Sequence, residues 1–252
     1  MDIAIETPRI VACIEARMGA SRLPGKVLAD ICGKPALSRL LGRLRRSELV
    51  EDIILATSIN PGDDALASWA ESEGVECYRG NEDDVLKRVV QANREMNSEI
   101  VVEIWGDMPL LDYELVDHGI STFLENNCEV VTTTCKPSYP IGIDVVVFRL
   151  KDLEWVEKNV LDVEVREHVS LYFFQHPERY RIVHLLAPKR LYAPERRFVL
   201  DYPEDLEFIR AVYSALEPKY GDKFGTEEIL ELLRKEPSLG EINQYITENK
   251  AL

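Results

Sequence analysis

Three cations, Arg17, Arg22 and Lys26, share one short stretch of this chain, Glu15-Ala16-Arg17-Met18-Gly19-Ala20-Ser21-Arg22-Leu23-Pro24-Gly25-Lys26. The stretch follows an apolar run, residues 10–14, and is punctuated by Gly and Pro as a loop is. Guanidinium and ammonium groups supply charge to phosphate oxygens, and Gly19 and Gly25 let backbone amides approach those oxygens closely. The combination reads as a triphosphate cradle.

Two carboxylates complement it. Asp107, in Gly106-Asp107-Met108-Pro109-Leu110-Leu111-Asp112, falls just beyond the apolar run 100–104, and Asp201 precedes Tyr202-Pro203-Glu204-Asp205-Leu206. Carboxylates at neighbouring strand ends, opposite a basic loop, suit an Mg²⁺ ion that bridges a nucleotide. Asp201 also stands where an N-cap would, because Asp before Pro commonly opens a helix. The two roles are compatible.

Composition sharpens the case. The 252 residues carry a formal net charge of −15, which disfavours general attraction to nucleic acid or anionic lipid, so a local basic loop needs a specific ligand. With 46% hydrophobic residues the chain can bury a large core. Five cysteines show no C-x-x-C spacing and read mainly as reduced core thiols. No long apolar run appears, and Asp2, Glu6, Pro8 and Arg9 interrupt the start, so a cytoplasmic protein without a membrane partner is expected.

The elements that must position these residues follow from periodicity. Residues 10–14, 53–56, 100–104, 130–134 and 145–148 read as strands, and 35–46, 63–73, 83–96 and 113–126 as helices. This alternation predicts an α/β fold: a mainly parallel sheet with helices on both faces and a ligand at the carboxyl ends of the strands. Lys136-Pro137-Ser138-Tyr139-Pro140 then breaks the rhythm, and 164–175 reads as a helix within an inserted segment, 136–197. A strand at 198–201, a helix from 203 to about 216, and helices at 226–235 and 239–248 complete the expectation, the last two within a C-terminal extension, 222–252.

These motifs resemble the cytidylyltransferase family that activates acidic sugars, most of all its spore-coat polysaccharide branch. The loop from Ala16 to Lys26 is close to that branch's A-R-M-G-S-x-R-L-P-G-K signature. In the same order come Ala56-Thr57 with Asp63-Asp64, Arg79-Gly80-Asn81-Glu82-Asp83-Asp84-Val85-Leu86, Gly106-Asp107-x-Pro109-Leu110, Gly142-x-Asp144-Val145, Arg166-Glu167-His168-Val169 and the Asp201 motif. The resemblance implies a Rossmann-like nucleotide-diphospho-sugar transferase fold, one nucleotidyltransferase domain over 1–252, and transfer of CMP from CTP to an acidic sugar with loss of pyrophosphate.

The roles it implies are these. Arg17, Arg22 and Lys26 hold the phosphates, and Asp107 and Asp201 hold Mg²⁺. Ala16, Met18, Gly19, Ser21, Thr57, Arg79, Gly80 and Gly106 contact the nucleotide. Tyr139, Gly142, Asp144, Arg166 and Glu167 face the acceptor, with Arg166 pairing its carboxylate and His168 orienting or deprotonating its hydroxyl. Asp83 and Asp84 double as helix caps, and a homodimer through 136–197 is a further expectation. An alternative keeps the chemistry but uses GTP or UTP and a sugar phosphate or another phosphorus-bearing acid; a non-catalytic nucleotide-sensing or scaffolding protein is the reading from another class. Two positions depart from the resembled pattern: Glu15 stands where Gln is usual, and Trp105 where a small or polar residue is. Both flank the nucleotide loop.

Overall fold

The computed structural model describes residues 8–246. Its centre is β1 (Ile10–Glu15), whose first five residues are buried and which pairs in parallel with β4 (Asp52–Ser58) and β6 (Ile100–Trp105). Between β1 and β4 lie a two-stranded hairpin, β2 (Asp30–Ile31) and β3 (Lys34–Pro35), and the helix α1 (Ala36–Leu44). The hairpin turns through Cys32 and Gly33, both at positive φ, the geometry that matches the twist of paired strands.

The main sheet has the order β5-β4-β1-β6-β8-β7-β9. β5 (Glu76–Gly80) extends the parallel side, while β8 (Val146–Arg149) runs antiparallel to both β6 and β7 (Val130–Thr132). β9 (Ile182–His184) closes the far edge parallel to β7. One face buries Ala12, Ile14, Val102 and Ile104 against α1, α2 (Asp64–Glu73), α4 (Tyr113–Glu125), α8 (Pro203–Tyr220) and α9 (Thr226–Lys235). The other buries Val11, Cys13, Val101 and Phe148 against α3 (Val85–Glu95), α5 (Leu150–Asn159), α6 (Val163–Glu167) and α7 (Leu171–Gln175). Successive strand residues point to opposite faces, so Glu15, Glu103 and Trp105 share the second face with Cys13 and Val101.

The expected α/β architecture is present, with three local corrections. The helix expected over 164–175 is two short ones, α6 and α7, broken at His168-Val169-Ser170. The strand expected over 198–201 is irregular extended chain: it makes one bridge, Ile141 to Arg197, and holds position through the Phe198 amide on the Ile141 carbonyl (2.7 Å) and the Leu200 amide on the Asp107 carbonyl (2.8 Å). The helix expected over 239–248 is a five-residue turn of helix, α10 (Pro237–Glu241); the expectation beyond 246 lies outside the described residues. The reading also passes over β5, β9 and α5. β5 is a half-exposed edge with no apolar run to mark it, and α5 follows β8 without an intervening turn. The segment 136–197 supplies β8 and β9 to the main sheet.

All five cysteines are free; Cys13 and Cys128 are core thiols, whereas Cys32 and Cys135 are exposed, contrary to the expectation of core packing. Among the described residues no helix is long and apolar enough to cross a membrane.

Candidate active site

A cleft of about 380 Å³ opens at the carboxyl ends of β1 and β6. Its lining includes Ala16, Arg17, Ser21, Arg22, Lys26, Gly106, Asp107, Glu167, His168 and Asp201. The basic loop is wound tightly to reach it: the amides of Ala20 and Gly25 both donate to the Met18 carbonyl, at 2.9 and 3.0 Å. Gly25 adopts φ 72°, a conformation that costs glycine nothing, and so turns the chain into the short helix that carries Lys26. Behind the loop, buried Asp63 accepts the Met18 amide at 2.7 Å and the Ser58 hydroxyl, clamping the loop to the end of β4. Gly106 lets β6 come close, since a Cβ there would lie 2.8 Å from the Ala16 methyl and 2.9 Å from the Glu15 carbonyl.

Lys26 sits between the two carboxylates predicted from sequence. Its Nζ lies 2.6 Å from Asp107 Oδ2 and 2.7 Å from Asp201 Oδ1, and Arg22 donates to the other oxygen of Asp201. Burial alone would lower the Lys26 pKa, but Asp107 and Asp201 outweigh it and hold the ammonium charged. Burial likewise pushes Asp201 up, and Lys26 and Arg22 overcome it, so this carboxyl titrates below the usual range.

Asp201 is aimed by a residue to which the sequence assigned no role. Asp205 is fully buried and accepts the amides of Asp201 (3.0 Å) and Tyr202 (2.9 Å), Arg197 Nε (2.9 Å) and Asn243 Nδ2 (2.9 Å). The capping work considered for Asp201 therefore falls to Asp205, and the Asp201 carboxylate is turned to the cleft. Two carboxylates converging on one small cation are hard oxygen donors of the kind Mg²⁺ takes, and the site fits such an ion. Among the described residues no group of three His, Cys, Asp or Glu side chains gathers to hold a metal, so other ligands would have to come from nucleotide and water.

The floor is different in kind. Glu103, 1% exposed, and Arg88, 3% exposed, line it with Glu15, Trp105 and Ser170. Among the described residues, Glu15 Oε1, Glu103 Oε2 and Arg88 Nε are buried without a hydrogen-bond partner. Burial, and then the neighbouring Glu103, raise the Glu15 carboxyl well above the carboxylate range; burial raises Glu103 to about 8. Sequence reasoning missed Glu103, Arg88 and Ser170. The available signal was a Glu inside the otherwise apolar run Ile100-Val101-Val102-Glu103-Ile104.

Other predicted site residues stand outside the cleft lining, each with a visible occupation. Arg166 grips Asp84 with two nitrogens, at 2.8 and 2.5 Å, and the Glu157 carbonyl at 2.6 Å, so the fork expected to meet an acceptor carboxylate braces α6 against α3 instead. Asp84 also caps α3 through the Lys87 amide. Arg79 reaches the Ser58 and Asn60 carbonyls and the Asp64 carboxylate. Gly80 packs under Arg88 and Tyr78, and Thr57 is fully buried in β4. Gly142, at φ 91°, lies so close to the Val199 backbone that any Cβ would meet it at 2.4 Å; Asp144 accepts the Gly142 amide, and Tyr139 is buried. Met18 and Gly19 shape the loop from outside the lining. Arg17 and His168 remain exposed at the rim, Arg17 at 3.7 Å from Glu167.

Residues 11–235 match the family model for cytidylyltransferases. The spore coat polysaccharide biosynthesis protein SpsF of Bacillus subtilis (strain 168) is 32% identical over 234 residues, covering 90% of this chain and 95% of its own. A 3-deoxy-manno-octulosonate cytidylyltransferase of Polynucleobacter asymbioticus is 30% identical over 242 residues, 93% of this chain and 85% of its own. A solved cytidylyltransferase from Leptospira borgpetersenii superposes with a TM-score of 0.88 at 27% identity, over 96% of this chain and 99% of that one. With a nucleotide-sugar transferase fold, a basic loop facing paired aspartates, and these matches along nearly its whole length, the chain belongs to the cytidylyltransferase family, enzymes that use CTP as the nucleotidyl donor.

Proposed function

We propose that the cleft binds CTP with Mg²⁺ and transfers its cytidylyl group to a hydroxyl of an acidic sugar. One observation carries the reading: Lys26, Arg22, Asp107 and Asp201 form one compact charged cluster at the cleft, in a chain whose overall charge of −15 repels anions. The names of the two relatives above, one for spore coat polysaccharide and one for a ketosugar acid, support the acceptor class.

In this reading Arg17, Arg22 and Lys26 take the β- and γ-phosphates. The acceptor oxygen attacks the α-phosphorus, the bond to the bridging oxygen breaks, pyrophosphate leaves, and His168 at the rim takes the hydroxyl proton. Such a transfer asks mainly for positioning and charge neutralisation, which explains why cations rather than a nucleophile fill the loop. Asp107 and Asp201 would hold the Mg²⁺, which supplies further neutralisation of the phosphate oxygens when bound.

The test is pyrophosphate release from CTP, GTP, UTP and ATP with Mg²⁺, against a panel of ulosonic acids and sugar phosphates. Release is expected with CTP and a sugar acid, and Asp107→Ala should lower it at least 100-fold. Release only with sugar phosphates, or an Asp107→Ala variant as active as the parent, would contradict the reading.

A further inference from the structure

The floor of the cleft carries two buried carboxyls, Glu15 and Glu103, each with one oxygen that has no hydrogen-bond partner among the described residues. Glu15 and Trp105, the two departures from the resembled signature, are register partners across β1 and β6, and Glu103 lies two residues before Trp105 on the same face. All three line the cleft. Arg88, the nearby cation, donates its Nη1 to the carbonyls of Asn81 (2.9 Å) and Glu82 (3.2 Å), and among the described residues it makes no ion pair with either glutamate. Ser170 and Trp105 hydrogen-bond to Glu103, and one oxygen of each glutamate is left to accept from a ligand beside the Trp105 ring.

Unpaired buried polar atoms are costly, on the order of 1–3 kcal/mol each, so a site that keeps them has a use for them. Two carboxyls beside an indole form a recognition set for an organic cation: the carboxyls accept its N–H bonds and the ring attracts its charge. A second carboxylate or a phosphate would be repelled.

We propose that Glu103, Glu15 and Trp105 form an acceptor subsite that selects a substrate bearing a primary amine, so that the acceptor is an amino sugar acid. This rests on the reading of the cleft as a cytidylyl acceptor site. The raised titration of both glutamates agrees with it, since an ammonium between them would relieve the repulsion and stabilise their charged forms.

The test is calorimetric binding of matched sugar acids that differ only in amine for hydroxyl at one carbon, starting with glucosaminate and gluconate, in the presence and absence of CTP. At least one pair should favour the amine tenfold or more, and Glu103→Gln and Glu15→Gln should each cut that preference to threefold or less while binding of the hydroxyl partner changes little. Trp105→Leu, which leaves both carboxyls in place, should reduce it by a smaller factor. No pair favouring the amine, no binding by any amine, or a preference that survives both glutamate substitutions would overturn the proposal. Pyrophosphate release from CTP is scored separately: turnover of sugar acids without an amine preference sinks the subsite and spares the cytidylyltransfer reading, and an amine preference without turnover does the reverse.

Discussion

At the mouth of the cleft Lys26 touches two carboxylates, Asp201 accepts from Arg22 and Lys26, and buried Asp205 answers Arg197 and two backbone amides. On the floor, Glu15 Oε1, Glu103 Oε2 and Arg88 Nε have no hydrogen-bond partner among the described residues. Both regions line one cavity, yet one is internally hydrogen-bonded and the other keeps unpartnered polar atoms. The neutralised end can stand ready for a polyanion and a metal because its own charges hold one another in place. The floor stores an unfavourable arrangement that a donor-bearing ligand would relieve, and regions of that kind are where specificity is set.

If the mouth is a charge network held from behind, removing its anchor should do the most damage. Asp205→Ala takes from buried Arg197 the carboxylate it holds at 2.9 Å, leaving Asp201 at 3.7 Å, and a loss of about 3–5 kcal/mol in unfolding free energy is expected, measured by urea denaturation. A loss under 1 kcal/mol would show that Asp205 anchors nothing.

The floor should behave in the opposite sense. Glu103 titrates at about 8 in the folded chain against the ordinary 4.5, so the native state binds more protons between those values. The protonated group's stabilising contribution is complete below about pH 4.5 and is lost as pH rises through about 8. Glu103→Gln removes that dependence: the variant should gain up to a few kcal/mol relative to the parent at pH 8 and little at pH 4.5. Denaturation curves across that range check it, and a variant destabilised more at pH 8 than at pH 4.5 would mean that Glu103 is a satisfied structural carboxylate.

The rim should matter least to folding. Arg17 and Glu167 are exposed and 3.7 Å apart, so Arg17→Ala should change stability by less than about 1 kcal/mol, and less still in high salt. A larger change in the melting transition would place Arg17 with the mouth rather than the rim.

The same contrast explains what the sequence disclosed. Arg22, Lys26, Asp107 and Asp201 were legible because charged residues beside Gly and Pro at the ends of apolar runs advertise a site. The parallel sheet was legible because buried strands such as Ile10–Glu15 are nearly continuous in hydrophobicity. Glu103 was hidden inside such a run, where periodicity gives it to the core. The pairing of Arg166 with Asp84 was not legible because Asp84 lies 82 residues away, and no local pattern reports a contact at that distance. The break at His168-Val169-Ser170 was missed because the flanking residues keep an apolar helical spacing on both sides, and tertiary packing over the cleft ends the helix where propensity would continue it.

The most direct test of the two-ended cleft is steady-state pyrophosphate release with CTP and a turned-over amino sugar acid each varied in concentration, for the parent, Lys26→Met and Glu103→Gln. Lys26→Met should lower kcat/KM for CTP by the equivalent of about 2–4 kcal/mol, by comparison with a lost oxyanion donor, whereas Glu103→Gln should alter KM for the acceptor and leave KM for CTP within a factor of three. The opposite assignment, Lys26→Met acting on the acceptor alone or Glu103→Gln acting on CTP, would contradict the account.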